Sequence, residues 1–416
     1  MRRVSILLLL CALASVAAGI PAAPAKPRSA VAPKSVLHRV RGAERATDYW
    51  TKERMRAAKP APLPAVGDSR TTSKSAPAET GGGPYPFTRT EVADPGAADV
   101  RMHGKVFFSD PSDGNDYVCS GTAVTSPNES LVWTAGHCVY LFAWHTNFVF
   151  VPGYHNGSTP FGEWAALYTS APSSWVRNTN VRQDVGVAVV EADPVTGATL
   201  TDTVGSRGVA FNGVRNQAYV SYGYPANRQD NPDFTGGREF VCTVSSAAND
   251  NLDGGSGPLP LAIGCDMTGG SSGGAWVGAD GLVYSVNSHG HPKVETDVMD
   301  GTYQGDIARS LYESVAEISV HPMSIGIRLK KHLTVSGTLT ADDGFTACAV
   351  GARVEVWRRG SRGWSFLKAE RTNSAGKYNL RVKDKTGRYQ VFAPEGPADD
   401  LNFCAATFSR VLRHRH

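Results

Sequence analysis

The sequence predicts an all-β fold built as two successive β units. Three observations carry this. From about residue 85 to 322, short runs rich in Val, Tyr and Phe ("GKVFF", "SLVWTA", "FVFVPGY", "VGVAVVEA", "QAYVSYGY", "LVYSVNS") alternate with Gly, Pro, Asn and Asp. That is strand-and-turn spacing, expected of a sandwich or barrel. The tail repeats the texture in "LTVSGTLTA", "ARVEVWRR", "SFLKAERT", "KYNLRVK" and "RYQVFAP", which read as a small antiparallel sandwich. One helix interrupts the strands: in "GDIARSLYESVAEIS", Ile307, Leu311, Val315 and Ile318 recur at helical spacing near the end of the first unit.

The elements follow in order. The chain has 416 residues, 41% hydrophobic and 19% charged, which suits a globular protein with a sizeable core. "MRRVSILLLLCALASVAAGIPAAPA" opens with Arg2 and Arg3, continues through an apolar run to about Ala14, and ends in small residues. It reads as a secretory signal over 1–25, with cleavage after Ala18 or Ala25. Its apolar core is too short to span a bilayer, and no later run of about 18 apolar residues follows, so no membrane segment is expected. Cys11 sits inside the leucine run without the small residues a lipid-attachment site needs. Residues 26–84 are rich in Pro, Ala, Ser, Lys and Arg, with only "ERATDYWTKERMRAA" of helical character. They read as a basic prosegment or linker. Residues 85–324 form the first β unit and 325–416 the second.

Charge is divided by unit. Residues 26–84 carry twelve basic and five acidic side chains (+7), 85–324 eleven and twenty-five (−14), and 325–416 seventeen and eight (+9). A basic segment beside an acidic unit predicts docking between them, and a basic tail predicts an anionic polymer as its candidate ligand. Beyond the signal, six cysteines remain: Cys119, Cys138, Cys242, Cys265, Cys348 and Cys404. An even count in an exported chain predicts three disulfides, and nearest-neighbour pairing keeps each bond within one unit. With no CxxC pair, a zinc-thiolate site is not expected.

Three motifs carry the chemistry. "TAGHC" contains His137, "RQDVGVAVV" contains Asp184 before an apolar run, and "GCDMTGGSSGGAW" contains Ser272 before a glycine pair. A serine attacks only when an imidazole takes its proton, and the imidazole needs a buried carboxylate to fix its tautomer. Asp193 and Asp202 compete with Asp184 but do not lead into an apolar strand.

In type and chain order this constellation resembles the chymotrypsin-like serine peptidases, in particular their bacterial secreted trypsin-like and glutamyl-endopeptidase-like branch, over about Gly104 to Pro322. The resemblance implies a double β-barrel with a C-terminal helix. It makes His137, Asp184 and Ser272 catalytic, and the backbone N–H groups of Gly270 and Ser272 the oxyanion hole. Ser271 stands where many members carry the aspartate that receives a freed N-terminus, so activation by N-terminal insertion is not expected. The Cys119–Cys138 bond would anchor the histidine loop.

For substrate binding the resemblance implies Asp266 as a pocket base selecting Arg or Lys, Ser288 as the substrate-backbone contact and Gly290 at the rim. Asn287 falls where glutamyl endopeptidases hold a pocket histidine, while His289 is one step off and on the other side of a strand. "NDNLDGG", from Asn249 to Gly255, has oxygen ligands at loop spacing, but surface turns share this composition, so no metal or cofactor is expected. The tail weakly resembles transthyretin-like or carboxypeptidase-regulatory-like modules. Its Trp357 and Trp364 are expected in the core, with Arg358, Arg359 and Arg362 at the surface. The expected function is a secreted, monomeric serine endopeptidase acting on protein or peptide substrates and held by its own prosegment. The alternatives are an inactive protease-like binding protein, or an esterase on the same fold.

Overall fold

The computed structural model describes residues 34–40, 46–62, 85–193, 196–228, 231–291, 297–330, 332–361, 363–399 and 401–415. The signal segment with its cleavage positions, residues 63–84 and Arg362 lie outside these residues.

Two β assemblies make the first unit. In the first, strands pair in the order Trp164–Pro172, Gly186–Val190, Leu131–Thr134, Asp116–Val124, His103–Ser109, Thr146–Pro152. The last returns to the first through Trp164↔Phe150 and Ala165↔Val149, so the barrel is closed. Closure lets Val106, Phe108, Val124, Trp133, Phe150 and Val187 fill one interior, all fully buried. The second assembly is an open half-barrel: Ala248–Asn249, Leu261–Gly264, Val298–Gly301, Val283–His289, Ala275–Val277, Tyr219–Gly223, Phe240–Val244 and Phe87–Glu91, each antiparallel to the next. Tyr219, Phe234, Cys242, Ile263 and Trp276 form its core. This is the double β-barrel expected.

The helix runs over Asp306–Glu313. Ala308 and Leu311 pack on the first barrel's core, and Val315 and Ile318 continue that buried stripe past the helix end. The expected periodicity therefore outlasts the helix by one turn.

The segment before the barrels is more ordered than its composition suggests. Ser35–Arg39 adds to the edge of Trp164–Pro172 in register Ser35↔Pro172 to Arg39↔Tyr168. The expected helix is two short ones, Ala46–Tyr49 and Lys52–Ala57, because Thr51 leaves helical geometry and caps the second by accepting from the Arg54 N–H. Ala46, Trp50 and Met55 bury against Phe107, Val118, Val149, Val151 and Tyr224. Trp50 Nε1 donates to the Asn147 carbonyl at 2.6 Å. Lys59–Pro60 then pairs in parallel with Tyr117–Val118, and the Ala61 N–H donates to the Val118 carbonyl.

The tail carries two antiparallel sheets around Ile325, Val335, Leu339, Val354, Val356, Tyr389 and Val391, fitting a C-terminal sandwich, and a small third sheet in which Asn402–Cys404 pairs in parallel with Ser319–His321. Its tryptophans are not in that core. Val354 and Val356 take the inward positions of Arg353–Gly360, which leaves the neighbouring Trp357 outside and half-buried. Trp364 is 38% exposed. The disulfides are Cys119–Cys138, Cys242–Cys265 and Cys348–Cys404, the nearest-neighbour set. Among the described residues, no helix is long and apolar enough to cross a membrane.

Candidate active site

"TAGHC" leaves strand Leu131–Thr134 and turns through a short 3-10 helix, Gly136–Cys138, which presents His137 between the barrels. The motif's glycine is sterically required. A Cβ on Gly136 would come within 2.9 Å of Asp184 Oδ1 and 3.1 Å of the Trp175 ring. Cys119–Cys138 closes a 19-residue span around this turn, worth about 3 kcal/mol in the chain-entropy model.

Asp184 follows a second 3-10 turn, Val181–Gln183, and is fully buried. Its Oδ1 accepts the His137 backbone N–H at 2.8 Å, and its Oδ2 accepts His137 Nδ1–H at 2.8 Å. Ser288 Oγ donates to the same Oδ2, and Thr302 Oγ1 to the Asp184 carbonyl. Burial pushes the Asp184 carboxyl up, but the His137 charge and these donors outweigh it and hold the group below its usual range. With Nδ1 committed as donor, Nε2 is the free basic nitrogen, and it is buried without a hydrogen-bond partner. Asp193 and Asp202 serve elsewhere, in a local turn and a helix capping box.

The glycine-rich loop is held from both sides. Ser120 N–H donates to the Ser272 carbonyl at 2.7 Å, and Ser120 Oγ to the Gly270 carbonyl at 2.9 Å. Asn287 Nδ2 donates to the Ser271 carbonyl at 3.0 Å. The two serines differ: Ser271 Oγ donates to the Thr268 carbonyl at 2.8 Å, whereas Ser272 Oγ has no such bond among the described residues. Gly270 sits at φ +98, and a Cβ there would lie 2.6 Å from the Tyr224 carbonyl. Among the described residues, neither the Gly270 nor the Ser272 N–H has an acceptor. Two backbone donors thus flank the hydroxyl, the arrangement an oxyanion requires.

A cavity of about 640 Å³ opens beside Ser272, lined among others by Asp266, Met267, Ser288, His289, Gly290 and Met299. Asp266 is not a free base. Its Oδ2 is ion-paired with Arg89 of the edge strand Phe87–Glu91, and its Oδ1 has no partner. Burial pushes its carboxyl up against the pull of Arg89. The strand register is irregular between Asn287 and His289, so Ser288 and His289 both line the cavity rather than strictly alternating.

No family model and no curated protein matches the chain. Among solved structures, the protease Anisep from Arthrobacter nicotinovorans is 38% identical, with 55% of this chain and 99% of that one covered and a TM-score of 0.48. The thermostable serine protease AL20 from an extremophilic microorganism is 37% identical, with 53% and 99% covered and a TM-score of 0.47. The chain belongs to the chymotrypsin-like serine proteases.

Several contacts of this protease's site escape sequence reading. Ser120, one residue past Cys119, braces the loop by two bonds, and its hydroxyl also accepts the Tyr224 N–H. Asn287 is a fully bonded bracket: its Oδ1 accepts Ser221 Oγ and Trp276 Nε1, and its Nδ2 donates to the Tyr222 and Ser271 carbonyls. Arg89 lies far upstream, and only its pairing with Asp266 reveals it.

Proposed function

We propose that the protein is a secreted serine endopeptidase that cleaves peptide bonds through an acyl-enzyme on Ser272. His137 Nε2 takes the hydroxyl proton and later gives it to the leaving amine. Asp184 fixes the Nδ1–H tautomer and stabilises the imidazolium, and the Gly270 and Ser272 N–H groups receive the oxyanion. The observation that carries this reading is the double grip of Asp184 on His137, at 2.8 Å to both the backbone N–H and Nδ1, with both side chains buried. The paired cysteines and the signal-like start support export.

The natural inhibitor in this reading is the docked segment. Pro60 and Ala61 line the cavity beside Ser272. Substrates with Arg or Lys before the cleaved bond would use Asp266, with Ser288 contacting the substrate backbone and Gly290 shaping the rim. For the tail, a cavity of about 1160 Å³ lined by Arg328, Lys330, Arg371, Lys377 and Arg410, with Glu370 the acidic member, supports an anionic polymer as ligand.

A fluorophosphonate probe tests the central claim. A chain lacking residues 26–84 should label at one serine and hydrolyse a peptide library. Absence of both in folded protein would return it to the binding proteins, and ester cleavage without peptide cleavage would make it an esterase.

A further inference from the structure

A second cluster of chemistry-bearing side chains lies behind the catalytic strand. The loop 249–255 is not a solvated turn. It folds Asp250 and Asp253 inward, 5% and 3% exposed, against His289, His291 and Asp300. These belong to the end of strand Val283–His289, the residues just past it, and strand Val298–Gly301. His291 Nε2 lies 3.3 Å from Asp253 Oδ1, 3.7 Å from Asp300 Oδ2 and 3.8 Å from Asp250 Oδ2. None of these contacts is a hydrogen bond. His291 Nε2, Asp253 Oδ1 and both Asp300 oxygens are buried without a hydrogen-bond partner. Buried carboxylates ordinarily collect donors, because an uncompensated anion away from water costs several kcal/mol. Asp250 accepts the Leu252 and Asp253 N–H groups and Asp253 meets His289 Nε2, but Asp300 has no donor on either oxygen and faces the unpartnered His291 Nε2.

The spacing fits a metal ion. Bonds of about 2.0–2.2 Å to a tetrahedral ion place neighbouring ligand atoms about 3.3–3.6 Å apart. The His291 distances to Asp300 and Asp250, 3.7 and 3.8 Å, lie just above that range, so an ion would draw these atoms in by a few tenths of an ångström. One ligand atom each from Asp250, His289, His291 and Asp300 lies within 4.8 Å of all the others. We propose that Asp250, His289, His291 and Asp300 bind one divalent metal ion of the zinc class. Two imidazoles among four ligands favour zinc over calcium, which takes six to eight oxygens.

The site is wired to the triad. Ser288 Oγ gives its hydrogen to Asp184, so the 2.8 Å contact from His289 Nδ1 to Ser288 Oγ must be an N–H donation. His289 Nε2 in turn meets Asp253 Oδ2 at 2.8 Å. Metal bound at Nε2 would replace that hydrogen and leave the Nδ1 donation intact. The ion would then brace the loop 249–255 against the cavity wall that His289 and Gly290 form. This inference does not depend on what Ser272 does.

The test uses the full chain carrying Ser272→Ala, which prevents self-digestion. After chelator treatment it is titrated with Zn²⁺ and, separately, Ca²⁺. It should retain one zinc per chain through gel filtration and gain Tm with zinc but not with equal calcium. Cobalt in place of zinc should give the visible bands of a four-coordinate site. His291→Gln and Asp300→Asn should each weaken zinc binding more than about 100-fold, and His137→Gln should keep it. Failure to retain zinc, retention in both ligand variants, or loss in His137→Gln would overturn the site. If the ligand variants do not fold, the cobalt spectrum of the parent chain decides, and absence of four-coordinate bands refutes the proposal.

Discussion

Pro60 lies against Gly269: a Cβ on that glycine would come within 2.9 Å of the Pro60 Cβ. Gly269 directly precedes Gly270, whose N–H is one of the two proposed oxyanion donors. A residue of the segment 26–84 therefore packs on the loop that would do the chemistry. The anchor is apolar, since Ala46, Trp50 and Met55 are buried while Arg54–Asp116 is the main ion pair of the helical part. Residues 26–84 added to enzyme lacking them should inhibit. Trp50→Ala should weaken inhibition by at least about 30-fold, the scale of an interface anchor. Salt should slow association more than it raises the inhibition constant. No inhibition at micromolar peptide in low salt would refute the occlusion model.

Ser272→Ala should lower kcat by about 10⁶ and abolish probe labelling, as loss of a triad nucleophile does. Ser271→Ala should leave both within about tenfold, because its hydroxyl is bonded to the Thr268 carbonyl and only loop anchoring is lost. Loss of labelling in folded Ser271→Ala alone would exchange the two roles.

Arg89 holds Asp266 in an ion pair and would compete with a basic substrate for it. If Asp266 selects Arg or Lys, Arg89→Gln should raise kcat/KM for those residues relative to Leu by on the order of tenfold, by releasing a partly exposed carboxylate from its pair. Asp266→Asn should remove that preference. A wild-type profile favouring Glu or apolar residues, unmoved by Arg89→Gln, would make Asp266 only a structural partner of Arg89.

What the sequence could reveal depended on how local each constraint was. His137, Asp184 and Ser272 sit in short motifs whose residue types follow from the reaction. The strands announce themselves by apolar runs and turns, and cysteine order gave the disulfides. In the segment 26–84, Trp50 is legible as the large apolar side chain of "ERATDYWTKERMRAA" and so as the anchor of a docking helix, whereas Ala46 and Met55 matter only once Phe107 and Val149 are beside them. Trp357 lies outside the core because Val354 and Val356 take the inward face of its strand, so position outweighs aromatic character. Arg89, Ser120 and the cluster of Asp250, Asp253, His289, His291 and Asp300 depend on contacts between distant segments, which no local pattern encodes.

His145 provides a pH test of the histidine loop. Its ring stacks on Phe108 at 4.1 Å, its Nε2–H donates to the His137 carbonyl at 3.0 Å, and its Nδ1 is buried without a partner. Burial lowers its pKa from 6.5 to about 4, opposed by that backbone bond and by Asp110, with the His137 charge adding to the depression. The folded state therefore holds His145 neutral where the unfolded chain protonates it. Unfolded protein binds more protons between these values, so stability is full above pH 6.5, declines as pH falls toward 4, and loses nothing further from this group below that. The loss should be on the order of 2–3 kcal/mol. In the Ser272→Ala background, chemical denaturation at pH 7 and pH 4.5 should show this drop, and His145→Gln, which keeps a donor for the His137 carbonyl, should flatten it. An equal drop in the variant would assign the acid sensitivity to other groups.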